Sequence, residues 1–233
     1  MPVAVRTTSK RLALTIDAKR GNLLGDLRES DSRFEICSSH ERSSTKERTV
    51  RLPPLPADQW DDAVQRALSV MLPEARRNPD AASNVLSTLV WHPDLTKAFL
   101  RFNVHLLMRS TLPPRIRELA ILRVAHRTNC VYEWTHHVDL GHREGLTDDE
   151  IDGIRRGELS DEFDRTILAA VDELFDKSEL SDATWSTLAE RFDERQRMDF
   201  IFTVGCYNAL AMALNTFGVE VEKDHEPAHE KGR

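Results

Sequence analysis

Pro113-Pro114-Arg115-Ile116-Arg117-Glu118-Leu119-Ala120-Ile121-Leu122-Arg123-Val124-Ala125 runs on to Thr128 and then into Asn129-Cys130-Val131-Tyr132-Glu133-Trp134-Thr135-His136-His137. Its two prolines open a helix rather than break one, because the first turn has N–H groups that need no partner within the helix. Asn129 reads as the cap of the following helix, which ends near Gly145. The same grammar extends in both directions. Upstream, an extended lead-in over residues 51–56 precedes helices opening at Ala57 or Asp58, at Pro79-Asp80 and at Pro93-Asp94. Downstream, Thr147-Asp148-Asp149-Glu150 has the spacing of a capping box. Further helices are expected near 161–177 and 182–192. A long apolar helix from Glu194 to Phe217 then stops at Gly218. No alternating strand pattern interrupts this series, so the expected fold is all-α.

Composition bounds the function. A formal net charge of -7 and a pI near 5.7 argue against a nucleic-acid partner, which calls for a basic surface. No apolar run is read as approaching the roughly 18 residues of a membrane span, so no membrane partner is expected. Cys37, Cys130 and Cys206 are widely spaced and odd in number, which fits free thiols in a reducing cytoplasm rather than a disulfide framework or a zinc knuckle. Residues 1–50 are rich in Ser, Thr, Arg and Lys without apolar periodicity and read as a disordered extension, in which Cys37 and His40 are given no role. Residues 51–220 form the expected helical domain, and 221–233 a charged tail.

The chemistry concentrates on the central stretch. Cys130, Glu133 and His137 are three and four residues apart and would share one helical face. Cys130 next to a helix start has two readings: a thiolate favoured by the helix dipole, or a small buried hydrophobe. Glu133 and His137 form an i,i+4 pair that either orients the imidazole or decorates the surface. Glu118 lies on a row otherwise made of Ile121, Leu122 and Ala125. A carboxylate there is costly unless paired or protonated, and burial would move its pKa upward. The alternative pairs Glu118 with Arg115 or Arg117 at the rim. Catalytic candidates are therefore Glu118, Cys130, Glu133 and His137. No metal is assigned to the trio, since a His-Glu-x-x-His pattern is absent from the sequence, and no cofactor is expected. His92, His126, His136 and His142 are set aside, while Tyr207 or Asn208 is placed near the pocket.

The two central segments, with Gly145-Leu146-Thr147-Asp148-Asp149-Glu150-Ile151 and Tyr207-Asn208-Ala209-Leu210-Ala211-Met212, resemble the carboxymuconolactone decarboxylase and AhpD-like (alkylhydroperoxidase) superfamily over residues 51–220. That resemblance implies an all-helical fold assembling into trimers or hexamers, with pockets near subunit contacts. In the peroxidase branch a Cys-x-x-Cys pair works with a glutamate and a histidine. The matching positions are Cys130, Glu118 and His137, but Glu133 occupies the second thiol position, so the intramolecular dithiol cycle is lost. The decarboxylase branch needs no dithiol, and Glu133 with His137 is similar to its Glu-x-x-x-His arrangement. The leading expectation is a cofactor-independent lyase acting on a small lactone or carboxylate. Arg115, Arg117 or Arg123 would hold the substrate carboxylates. The alternatives are a one-cysteine hydroperoxide reductase using Cys130 and a non-catalytic oligomeric binding protein.

Overall fold

The computed structural model of the chain describes residues 49–223 and 225, and among these it is helical without strands. The extension expected over residues 1–50, with Cys37 and His40, therefore lies outside the described residues except for its last two positions. So does most of the tail expected over 221–233. The helices are α1 (Asp62–Leu68), α2 (Asn84–Leu89), α3 (Pro93–Val104), α4 (Pro114–Arg127) and α5 (Val131–Arg143), followed by α6 (Asp148–Arg156), α7 (Glu162–Lys177), α8 (Asp182–Ala189) and α9 (Glu194–Phe217).

Helix α4 is the axis of the molecule. Every residue from Glu118 to Ala125 is buried, as expected of a helix with neighbours on all sides rather than one solvated face. Those neighbours are α5, α6, α7 and α9. Leu119, Ile121, Leu122 and Val124 enter one core with Ile154, Ile167, Leu168, Val171, Phe200 and Tyr207. Each such aliphatic side chain contributes roughly 1.5–3 kcal/mol through burial. A smaller apolar cluster joins Leu55, Val64, Leu68, Leu86, Val90 and Leu100 at the N-terminal side.

Local signals explain most boundaries. Thr147 and Glu150 cap α6 reciprocally, and Asp193 and Gln196 do the same for α9. Gly218 ends α9 in the left-handed region at φ 72°. A Cβ there would stand 2.4 Å from the Thr49 carbonyl oxygen, while the Arg51 and Leu52 N–H groups donate to Phe217 O. Only glycine meets both demands.

Several expected boundaries move. The first expected helix divides into a 3₁₀ turn at Ala57–Gln59 and α1, because the Asp61 side chain accepts the Ala63 and Val64 N–H groups and restarts the helix. Pro79-Asp80 opens a turn instead of a helix. The Asn78 carboxamide oxygen accepts the Asp80 and Ala81 N–H groups, so the side chain competes with helical bonding. Helix α3 continues into one π-helical turn at His105–Arg109. Cys130, not Asn129, caps α5, and Asn129 takes the left-handed conformation at φ 50°. The expectation of no span-like apolar run also needs correcting. Helix α9 reaches the length and composition of a membrane span, although its Asp199, Phe200, Thr203, Val204, Tyr207 and Leu214 pack inside the bundle. Just after Gly218, Val219 and Val221 pack against Cys130, Tyr132, Ala211 and Leu214.

Candidate active site

A sharp joint between α4 and α5 builds the site. The Cys130 N–H donates to Ala125 O at 2.9 Å, and Thr128 Oγ1 donates to Val124 O at 2.8 Å. Asn215 of α9 donates its Nδ2 N–H to Thr128 O. This turn returns the chain so that His137 Nδ1 lies 2.6 Å from Glu118 Oε2.

Glu118 is fully buried, and Arg117 Nε donates to its other oxygen at 2.9 Å. Burial alone would raise its pKa. His137 and Arg117 together outweigh burial and hold the carboxyl below its usual range. An ionised carboxylate only accepts, so in the neutral imidazole His137 Nδ1 carries the hydrogen and Nε2 is left to take up a proton. The Tyr207 ring stands edge-on to this imidazole, with centroids 5.0 Å apart. Its phenol is pushed well above the ordinary range, chiefly by burial and then by the Glu118 charge, which keeps it a neutral hydroxyl.

Glu133 has the opposite environment. It is 2% exposed, and neither carboxyl oxygen makes a hydrogen bond of ordinary geometry. Burial pushes its pKa up to about 8, with only the Cys130 thiol acting in the other direction. At neutral pH Glu133 is therefore predominantly a protonated acid.

Glu133 and His137 line one cavity of about 200 Å³ with Asn103, Tyr132, His136 and Tyr207. Its remaining walls are mostly apolar, including Val85, Leu86, Phe99, Leu100 and Leu210. At roughly 30 Å³ per water, the space suits one small organic molecule. Glu118 reaches this cavity through His137.

Of the four residues anticipated from sequence, Glu133 and His137 line the cavity, Glu118 stands behind His137, and Cys130 lies outside its lining. Cys130 is 1% exposed and packs with Tyr132, Ala211 and Leu214. It borders a second hollow with His126, Asn129, Trp134 and Arg155, while its thiol stays close enough to the Glu133 carboxyl to oppose the upward push of burial. The rim alternative for Glu118 is half right: Arg117 is its partner, but at zero exposure. The three arginines proposed as carboxylate holders are committed elsewhere. Arg115 pairs with Glu150 and Asp164, Arg117 with Glu118, and Arg123 with Asp172. Arg123 also donates to the Ile154 and Arg155 carbonyls, and none of the three lines the cavity.

Tyr207 enters the site as anticipated, and Asn208 does not line the cavity. His136, set aside in the sequence, does line it. Asn103 was missed: its Nδ2 lies 3.8 Å from Cys206 Sγ. Its position two residues before the π-helical turn was the available clue, since such turns cluster at functional sites. Cys206 itself is raised to about 11, chiefly by burial, so it remains a thiol at neutral pH.

Residues 93–175 match the Carboxymuconolactone decarboxylase family. No curated protein matches the chain. Among solved structures, an uncharacterised peroxidase-related protein from Ralstonia eutropha with an alkylhydroperoxidase AhpD core superposes with a TM-score of 0.61 at 19% identity, covering 74% of this chain and 94% of the other. A peroxidase-related protein from a Silicibacter species gives 0.63 at 18% identity, with coverage of 78% and 96%. A variant of the debrominase Bmp8 bound to 2,3,4-tribromopyrrole gives 0.56 at 15% identity, with coverage of 75% and 93%. At these identities the structural likeness speaks for the fold.

Proposed function

We propose, from the membership of this chain in the carboxymuconolactone decarboxylase and AhpD-like superfamily, that it is a cofactor-independent acid–base enzyme of the decarboxylase type. The observation that carries this reading is the pairing of opposites in one cavity. An imidazole backed by the Glu118 carboxylate stands one helical turn from Glu133, an acid raised to about 8. A carboxylic-acid donor and an imidazole acceptor on one cavity are what a proton-transfer reaction on carbon requires.

In the proposed reaction the carbon–carbon bond to a substrate carboxylate breaks and its electron pair remains on the substrate carbon. Carbon dioxide leaves, and Glu133 or protonated His137 delivers the proton that replaces it. Apolar walls favour charge dispersal as the carboxylate is lost. Neither arginine nor lysine lines the described cavity, so the substrate class narrows to a small unsaturated acid or lactone carrying at most one carboxylate. The test is incubation of purified protein in D₂O with a panel of such compounds, following carbon dioxide release and deuterium at carbon. Turnover abolished by His137→Ala and retained by Cys130→Ala is the expected result. No turnover across the panel, or turnover indifferent to His137→Ala, overturns the proposal.

One observation favours a second reading. Cys130 borders a hollow containing the Arg155 guanidinium and the His126 ring, groups able to support a thiolate. In that reading the sulfur attacks a hydroperoxide, the O–O bond breaks, the alcohol departs with a proton, and Cys130 becomes a sulfenic acid that an external thiol reduces. Its signature is peroxide consumption lost in Cys130→Ser. Failure of Cys130 to oxidise removes it.

We further infer that the chain works as a homo-oligomer in the cytoplasm with a small-molecule substrate as its partner, without nucleic acid or membrane. Exposed Leu95, Phe102, Met198, Phe202 and Met212 on α3 and α9 support a self-association surface. Light scattering that returns a monomer would remove the oligomer.

A further inference from the structure

A second cluster of potential ligands stands at the edge of the cavity. His136 faces Glu222, with Nε2 2.8 Å from Oε2. The His225 ring approaches the His136 ring edge-on, with centroids 4.7 Å apart. One donor atom from each of His136, Glu222 and His225 lies within 4.8 Å of the others. We propose that these three side chains form a binding site for a divalent transition ion of the zinc type, tying the segment after α9 to α5 at the cavity edge.

The donor set is two imidazoles and one carboxylate, suited to zinc, with room for a water or substrate atom as fourth ligand. Ligands about 2 Å from an ion stand roughly 3–4 Å apart, and donors that already lie within 4.8 Å of one another reach that spacing by small side-chain movements. The surroundings look built for the ligands. Tyr132 OH and the Asn84 N–H both donate to Glu222 Oε1, each at 2.8 Å, leaving Oε2 for the His136 side. His225 Nε2 is shut from solvent without a hydrogen bond of acceptable geometry, an atom whose bonding an ion would complete. Asp139 Oδ2 lies 3.3 Å from that same nitrogen, which places a second carboxylate beside the proposed centre.

This site is separate from the Glu118–His137 pair and does not rest on the proposed reaction. His136 and Tyr132 also line the cavity, so a bound ion would sit at its edge and hold the segment carrying Glu222 and His225 in place. Without an ion, that segment is held by hydrogen bonds and apolar contacts alone.

The test uses the full chain, stripped with a chelator and titrated with zinc sulfate by calorimetry, with metal content read by mass spectrometry. One zinc per chain is expected. His136→Gln and His225→Gln should each weaken binding at least about tenfold, and the double variant should lose it, with helical content checked by circular dichroism. X-ray absorption at the zinc edge of the unmodified protein should report two imidazole ligands, which keeps the test open if a variant misfolds. Hydrogen exchange across residues 219–225 should slow when zinc is added. Zinc bound equally well by the double variant, fewer than two imidazoles in the spectrum, or no zinc bound at micromolar concentrations overturns the proposal.

Discussion

Glu118 on α4 and Glu133 at the start of α5 are both shut away from water, yet the molecule treats them in opposite ways. Glu118 lies between the Arg117 guanidinium and the His137 imidazole and stays ionised. Glu133 has no cation beside it and, at about 8, keeps its proton into mildly alkaline solution. Burial raises both. What separates them is a partner of opposite charge within hydrogen-bond distance, and one site thereby obtains a carboxylate and a carboxylic acid from the same residue type.

The harshest way to break this contrast is to delete the paired acid. Glu118→Ala leaves Arg117 and His137 facing an empty buried space and should cost about 3–5 kcal/mol of stability, measured by urea denaturation. The next largest effect concerns the imidazole. His137→Ala should lower turnover about 10²–10⁴-fold in stopped or continuous assays, while the protein remains folded. A loss of less than threefold would show that Glu118 orients nothing used in catalysis.

Glu133→Gln sharpens the contrast through pH. Because the folded-state pKa lies above the unfolded value, the native state retains a proton that the unfolded chain has released. The stability linked to Glu133 is fully present below about pH 4.5 and is lost as pH rises to about 8. The glutamine variant lacks that loss. Thermal unfolding should therefore show the two proteins close at pH 4.5 and the variant more stable at pH 9, by on the order of a few kcal/mol. Turnover in the unmodified protein should fall above about pH 8 as the acid ionises, and this limb should vanish with the variant. The smallest effect belongs to Cys130→Ala, which should change proton-transfer turnover by less than about twofold and stability by about 1 kcal/mol. A large loss of turnover would shift the site's centre from the carboxyl pair to the sulfur.

Helix existence was legible along the chain because apolar periodicity and caps act locally. Thr147 with Glu150, and Gly218, perform where they were read. Glu118 was legible for a related reason: a charge on a row of Ile121, Leu122 and Ala125 demands a partner. Its choice of Arg117 together with His137 was not readable, since His137 comes from another helix. That Cys130 caps α5 and borders a different hollow was not readable, since it depends on the left-handed turn at Asn129. Asn103, Glu222 and His225 carry no spacing signal at all, since α3, α5 and the segment after α9 are far apart in sequence.

Sequence alone determined that this chain is a bundle of helices, that Glu118 sits on an otherwise apolar row of α4, and that acids and histidines crowd the α4–α5 junction. Those conclusions depend on interactions within a few residues, such as caps, periodic burial and the cost of a lone charge on an apolar row. Tertiary structure decided which acid keeps its proton, which arginines are committed to other carboxylates, and which side chains border one cavity. Proton affinity and ion pairing depend on neighbours brought together through space, and a carboxyl group gains or loses those neighbours only when its helices pack.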